Sequence, residues 1–255
     1  MEIGFNLYSI RGLIRTPEGM KSAFGRLKDM GYTAVQFSGD GYDPALLQCA
    51  AETFGMKIVL THMPLSRLLN DRDSLMSEHE TFGCRNIGLG MMPADIAEDD
   101  TAVAELTERL ETSAEYMRRR GFTLYYHNHS FEFRRMGDKT VYDYLLANTR
   151  ALCFVPDTYW LQHGGVSVIG YIRRLSGRCG CAHLKDYKMC GWNPGYAAVG
   201  DGNIDWAEVL PALTEAGTEH FIVEQDDAGD YPNPYGEAAK SITYLKNLTK
   251  RGLGI

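Results

Sequence analysis

The feature that most constrains this chain is a short apolar run that ends in metal-binding or proton-transferring side chains, and it occurs four times. The four runs are FTLYYHNH (122–129), LCFVPD (152–157), CGCAHLKD (179–186) and HFIVEQD (220–226). A short apolar run bounded by turn or charged residues is typical of a buried parallel strand. Four such strands with their chemistry at the carboxyl end predict a (β/α)8 TIM barrel, an α/β fold whose functional site lies at that face.

Eight strand–helix units fit the chain from end to end. Strands are expected at residues 3–9, 33–38, 57–63, 85–92, 122–128, 152–157, 179–185 and 221–225. Helices are expected at residues 17–30, 43–55, 66–82, 99–120, 141–148, 168–176, 205–216 and 237–250. Such alternation predicts a parallel sheet. Because 255 residues is the usual size of one such barrel, we expect a single domain over residues 1–255.

Two long loops, at residues 157–167 and 186–204, follow the sixth and seventh predicted strands. Long loops inside a compact domain are usually functional, and these lie at the face that carries the chemistry. The second loop contains VGDGNID (199–205) just before a helix. Its glycines suit either an anion site or a turn in which Asp205 caps the helix.

Composition narrows the class of partner. The chain is 44% hydrophobic and carries a net charge of −7, which supports a large core and makes nucleic acid an improbable ligand. No apolar run approaches the ~18 residues of a membrane span. The six cysteines form no Cys-x-x-Cys pair, and we expect reduced thiols in the cytoplasm. A small sugar or polyol is the expected partner, and assembly into a homo-oligomer stays open.

A shared metal site is the simplest interpretation of the four strand ends. If Asp157, His183 and Glu224 point into the barrel mouth, they form a carboxylate–imidazole–carboxylate set that suits Mn, Zn, Co or Mg. A fourth ligand should come from the fifth strand, where the candidates are His127, His129 and Glu132. Alone, a strand-end Asp is more often a turn or cap residue and a His in an apolar run more often has a backbone partner. The coincidence of four strands favours the shared site.

Further residues are candidates for contacts with a substrate. His62 ends the third strand and is either a polar contact or a hydrogen-bonded core residue. Trp160 and His163 lie in the first long loop, where aromatic rings stack on sugars or anchor the loop. The substrate-binding candidates are His129, Trp160, His163, Gln36 and Asn6.

Five segments together resemble the sugar phosphate isomerase/epimerase family of the xylose-isomerase-like TIM barrels. They are HNHSFEF (127–133), DTYWLQHGG (157–165), HLKD (183–186), VGDGNIDW (199–206) and VEQD (223–226). The resemblance implies a divalent metal at the barrel mouth held by a Glu, an Asp, a His and a Glu. Three of these carry over onto Asp157, His183 and Glu224. The family Glu of the fifth strand corresponds to His127, so either His127 replaces it or Glu132 is the ligand.

This resemblance implies proton abstraction next to a carbonyl, through an enediolate that the metal stabilises. Glu224 is the expected base, while His127, Glu132 or His62 returns the proton and Lys185 neutralises a developing oxyanion. The function so predicted is a metal-dependent sugar, sugar phosphate or polyol isomerase or epimerase. The alternative is a dehydratase or lyase acting on a keto-sugar or inosose by the same chemistry. More remote alternatives are an endonuclease IV-like nuclease and a non-catalytic sugar-binding protein.

Overall fold

Eight short strands form one parallel sheet that curls into a barrel. The computed structural model describes residues 2–250. The strands are β1 (Glu2–Asn6), β2 (Ala34–Phe37), β3 (Lys57–His62), β4 (Asn86–Leu89), β5 (Thr123–His127), β6 (Cys153–Val155), β7 (Cys181–Leu184) and β8 (His220–Val223). Their order in the sheet is β6-β5-β4-β3-β2-β1-β8-β7. A parallel bridge between Asp157 and His183 joins the two ends. The predicted (β/α)8 barrel is confirmed.

Helices cover the outside of this barrel. They are α1 (Pro17–Met30), α2 (Pro44–Phe54), α3 (Leu65–Asn70), α4 (Arg72–Thr81), α5 (Ala94–Ala97), α6 (Asp100–Arg118), α7 (Val141–Asn148), α8 (Thr158–His163), α9 (Val168–Arg174), α10 (Trp206–Glu215) and α11 (Pro234–Lys250). The α1 helix begins with Pro17 after a Thr16 cap and ends at Gly31, whose φ of 96° needs a residue without a side chain. None of the helices within residues 2–250 is long and apolar enough to cross a membrane.

The interior of the barrel is built in layers because side chains alternate along each strand. A buried apolar layer contains Tyr125, Cys181 and Ile222, contributed by β5, β7 and β8. The residues two positions further along the same strands are His127, His183 and Glu224, and all three are buried. An apolar floor therefore supports a polar layer at the carboxyl end of the sheet.

Several predicted elements differ in their bounds from those observed. The first strand ends at Asn6, because its side-chain oxygen accepts a hydrogen bond from the Tyr8 amide and starts a 3-10 turn. The predicted helix at 66–82 is two helices, since Asp71 (φ −134°, ψ 41°) leaves the helical region between α3 and α4. The predicted fourth strand is reduced to Asn86–Leu89.

Both predicted long loops contain regular structure. The first contains α8, and the second begins with an antiparallel hairpin of Asp186–Cys190 and Asn193–Ala197. The buried Asp186 carboxylate binds the amides of Gly200, Gly202 and Ile204 and the Trp206 indole N–H. A side chain at Gly202 would collide with that carboxylate. The glycines at 199–205 therefore enclose an anion that belongs to the chain itself, and Asp205 caps α10 as the second sequence interpretation predicted.

Candidate active site

Four buried side chains converge at the carboxyl ends of the last four strands. They are His127, Asp157, His183 and Glu224, and their potential ligand atoms lie within 4.8 Å of one another. The Nδ1 atom of His183 is 2.8 Å from Glu224 Oε2 and 3.4 Å from Asp157 Oδ2. The Nε2 atom of His127 is 3.2 Å from the same Asp157 oxygen. The structure therefore brings together three of the predicted ligands and one of the three fifth-strand candidates.

The hydrogen bonds behind the two imidazoles fix which nitrogen faces this cluster. His127 Nδ1 lies 2.9 Å from the Gly90 carbonyl oxygen, which can only accept, so Nδ1 carries the proton. His183 Nε2 lies 2.7 Å from Gln36 Oε1, and the Gln36 amide nitrogen bonds Ser38 Oγ at 2.8 Å. With its amide oriented in this way, Gln36 accepts from His183. In its neutral form each ring therefore turns the lone pair of one nitrogen toward the cluster, which is how metal-binding histidines are held.

The centre of the cluster requires positive charge. Although His183 Nδ1 and Glu224 Oε2 are close, both are buried and neither has a hydrogen-bond partner within residues 2–250. Burial alone would lower the pKa of His183, but the carboxylates of Glu224 and Asp157 outweigh it and raise that pKa to about 9. Either a proton or a metal ion satisfies this demand. Two imidazole nitrogens and two carboxylate oxygens are a donor set that fits zinc or a similar divalent ion.

Lys185 is a buried cation beside this cluster. Its Nζ lies 2.7 Å from Asp226 Oδ1, 3.7 Å from Glu224 Oε2 and 3.9 Å from Asp157 Oδ2. Burial opposes its charge, but the carboxylates raise its pKa above the usual range. In turn, Lys185 and the neighbouring imidazole hold the pKa of Glu224 well below normal, against the effect of burial. Three carboxylates around one ammonium leave the site negative, as a divalent cation site should be.

Two neighbours fix the orientation of the carboxylates. Asn6 Nδ2 donates to Glu224 Oε1 at 2.7 Å, which leaves Oε2 directed at the cluster. Asp157 Oδ1 accepts from the backbone amide of Trp160 at 3.0 Å and so caps α8, while Oδ2 faces the imidazoles. One oxygen of Asp157 therefore caps a helix, as one sequence interpretation predicted, while the other faces the cluster.

The four-residue cluster opens into a cleft of about 390 Å³. Its polar lining residues include His62, His127, His129, Lys185, Glu224 and Asp226. Its apolar lining residues are Met63, Pro64, Leu65, Leu89, Met91 and Pro93. Burial and the neighbouring imidazoles hold the pKa of His62 well below its usual value, so this ring is neutral. Gly90 is needed here, because a Cβ at that position would lie 2.8 Å from His62 Nδ1.

A larger cleft of about 590 Å³ lies at the other end of the barrel, beside Lys57, Asn86 and His220. These residues begin β3, β4 and β8. The four-residue cluster is not among its lining residues. The larger cleft is therefore not at the end of the barrel that carries the four-residue cluster.

Two predicted site residues have other contacts. The buried Glu132 carboxylate accepts from the Tyr126 hydroxyl at 2.7 Å and from the His129 amide at 2.9 Å, and it does not join the four-residue cluster. Burial raises the pKa of Glu132 to about 7. His163 is exposed and stacks on Tyr159, with ring centroids 5.7 Å apart.

The remaining predicted residues lie at or beside the cleft. Gln36 and Asn6 contact the cluster directly, and His62 lies beside the rings of both His127 and His183. The Trp160 ring lies 5.0 Å from Lys185 Nζ and 5.0 Å from the ring of His129.

Two contributors are missing from the predicted site residues. Asp226 forms the shortest contact of Lys185. Because residues two apart on a strand share a face, its position two residues after Glu224 could have indicated that it lies at the same site. The Gly90 carbonyl orients His127, and no side-chain pattern could indicate it.

Comparison with known proteins identifies the family. Residues 24–248 match the family model of the xylose isomerase-like TIM barrel. The chain belongs to this family. The resemblance to sugar phosphate isomerase/epimerases is thereby confirmed, and no protein of curated function matches the sequence significantly.

Solved structures of this family share the fold at low sequence identity. A sugar phosphate isomerase/epimerase from Parabacteroides distasonis has a TM-score of 0.81 at 18% identity, over 95% of this chain and 92% of that one. A probable 3-DHS dehydratase from Bacillus anthracis has a TM-score of 0.71 at 13% identity, over 96% and 99% of the two chains. A D-allulose 3-epimerase from Methylomonas sp. has a TM-score of 0.70 at 13% identity, over 97% of each. At these identities the likeness establishes the fold alone.

Proposed function

We propose that this chain is a metal-dependent sugar or polyol isomerase or epimerase that removes a proton next to a carbonyl group. The observation that carries this proposal is the buried cluster of His127, Asp157, His183 and Glu224, with its nitrogen lone pairs and carboxylate oxygens facing one point. Sugar isomerases and epimerases among the structural neighbours support it.

These four residues would hold the metal, with His127 as the fifth-strand ligand. Glu132 is the less suitable candidate, because Tyr126 and the His129 amide already occupy its oxygens. When bound, a divalent ion here supplies Lewis-acid stabilisation of negative charge on neighbouring substrate oxygens.

Glu224 is the proposed base. Its lowered pKa keeps it ionised, and the Asn6 amide holds one oxygen so that the other faces the cluster. Lys185 places a permanent positive charge beside the position where substrate oxygens gain negative charge. His62, which is neutral and lines the cleft, can orient a substrate hydroxyl or carry a proton.

Glu224 and Asp226 are the only carboxylates among the residues that line the cleft, and Asp226 is paired with Lys185. A single free carboxylate suits reactions in which one group removes and returns the proton, as in aldose–ketose isomerisation. It equally suits elimination of a β-hydroxyl, so dehydration is the second candidate. A probable dehydratase among the structural neighbours is consistent with that alternative.

The charges of the cleft favour an uncharged substrate. Among its lining residues the only lysine or arginine is Lys185, which carboxylates surround. A phosphate group would therefore meet negative potential and no free partner. We propose a neutral sugar or polyol as the substrate class.

Deuterium exchange tests this function without knowledge of the product. Protein loaded with Mn²⁺ would be incubated in D₂O with a panel of ketoses, aldoses and inososes, and NMR would follow loss of the proton next to the carbonyl. We expect exchange by the wild type, abolished by chelation, restored by Mn²⁺ or Co²⁺, and absent in Glu224→Gln. The matched control Glu219→Gln changes an exposed glutamate and should retain exchange. Full exchange by metal-free protein or by Glu224→Gln would contradict the proposal.

A further inference from the structure

A second cavity adjoins the active-site cleft. It has a volume of about 500 Å³ and is lined by Met91, Met92, Ala94, Ala97, Glu98, Ser130, Phe131 and Arg134. Most of this wall is apolar side chain from the segments that follow β4 and β5. Its volume is within the range of small-molecule pockets.

Two observations place this cavity directly beside the cleft. Met91 lines both and is 56% exposed, so its flexible side chain forms the boundary between them. His129 lines the cleft and Phe131 lines the cavity, and their rings stack with centroids 5.8 Å apart and planes 14° apart. A molecule that extends from the cleft past Met91 would therefore enter an apolar space beside an aromatic ring.

Arg134, one of the cavity-lining residues, carries an unpaired polar donor. Arg134 donates through Nε to the Ala97 carbonyl at 2.6 Å and through Nη1 to Asp100 at 2.7 Å. Its Nη2 is buried and has no partner within residues 2–250. An unpaired buried donor is costly, and a shift of the Arg134 side chain would let this nitrogen donate to an oxygen atom carried by an otherwise apolar ligand.

We propose that this second cavity is a subsite for an apolar, planar substituent attached to the sugar or polyol substrate, such as an aromatic aglycone. The inference rests on the proposed function, since it assigns the cleft to the polar part of the same molecule. The aromatic ring would pack against Phe131 and Met91, and a ring oxygen would accept from Arg134. A sugar without such a substituent would leave the apolar wall exposed to water.

Paired glycosides test the subsite. The Mn²⁺-loaded protein would be titrated by calorimetry with the phenyl and methyl glycosides of D-glucose, D-galactose and D-xylose, and with phenol alone. We expect phenol to bind saturably in the millimolar range and each phenyl glycoside to bind about tenfold more tightly than its methyl partner. Ala94→Phe fills the cavity from an exposed position and should remove this advantage. Asp95→Phe adds the same ring on the same helix outside the cavity and should keep it.

Several outcomes would overturn the subsite. They are equal affinities within each pair, no binding of phenol, or an advantage that survives Ala94→Phe. A monomer–dimer equilibrium that Ala94→Phe abolishes would assign the surface to self-association instead. The outcome for the proposed function is separate: Glu224→Gln should still bind phenol although it loses proton exchange. A chain that binds phenol but no metal would refute the function and leave the subsite standing.

Discussion

Gln36 provides a sharp test because it touches the proposed metal centre only through another residue. Its Oε1 accepts from His183 Nε2 at 2.7 Å, and both side chains are fully buried. Gln36→Leu keeps a similar volume but removes the acceptor. In the neutral ring of His183, Gln36 favours the tautomer with its proton on Nε2 and its lone pair on Nδ1, and the variant would lose this preference.

The magnitude follows from the cost of an unmade buried hydrogen bond, about 1–3 kcal/mol. Loss of a hydrogen bond behind a metal-binding histidine typically costs about 10–100-fold in affinity, or about 1.4–2.7 kcal/mol. We therefore expect the dissociation constant for Zn²⁺ to rise about 10–100-fold, measured by competition with a chelator of known affinity. The exposed Gln162→Leu is the matched control and should bind as the wild type does. Unchanged affinity in a folded Gln36→Leu protein would refute the role assigned to this contact.

Three further predictions concern other parts of the structure. His127→Ala should weaken metal binding by more than about 100-fold, which exceeds the effect expected for Gln36→Leu. Glu132→Gln should change the metal affinity by less than about threefold in the same competition assay. The reverse order would make Glu132 the ligand. Asp186→Asn should lower the free energy of unfolding in urea by about 3–5 kcal/mol, because several donors lose their charged acceptor. The control Asp205→Asn keeps a helix cap and should cost under about 1 kcal/mol. Equal effects would show that the 199–205 loop does not depend on Asp186. Burial lowers the pKa of His79 to about 4, below the value of about 6.5 in an unfolded chain, so protonation favours unfolding. Between about pH 7 and about pH 4.5 this residue should lower the free energy of unfolding by about 2–3 kcal/mol. An NMR titration that gives His79 a pKa near 6.5 would contradict this.

The site was largely predictable where its chemistry is carried by side chains on regular strands. Tyr125 and His127 on β5, like Cys181 and His183 on β7, follow the two-residue alternation that places an apolar layer below a polar one. The carboxyl ends of parallel strands meet at one face, so the convergence of Asp157 and Glu224 with these histidines followed from fold and spacing.

What the sequence could not indicate depends on backbone position and on long-range packing. The carbonyl of Gly90 orients His127, yet a carbonyl is common to every residue. Asp186 looked like a further strand-end carboxylate, but a loop 14 to 20 residues away wraps around it. The cavity beside Met91 exists because segments after β4 and β5 pack without filling the space between them, which no local pattern encodes.

The most direct test of the metal centre is a crystal structure of protein loaded with Zn²⁺, with data collected on both sides of the zinc absorption edge. We predict one anomalous peak at the barrel mouth, roughly 2.0–2.2 Å from His127 Nε2, Asp157 Oδ2, His183 Nδ1 and Glu224 Oε2. A map with no peak within reach of these four atoms, at full zinc loading, would contradict the account.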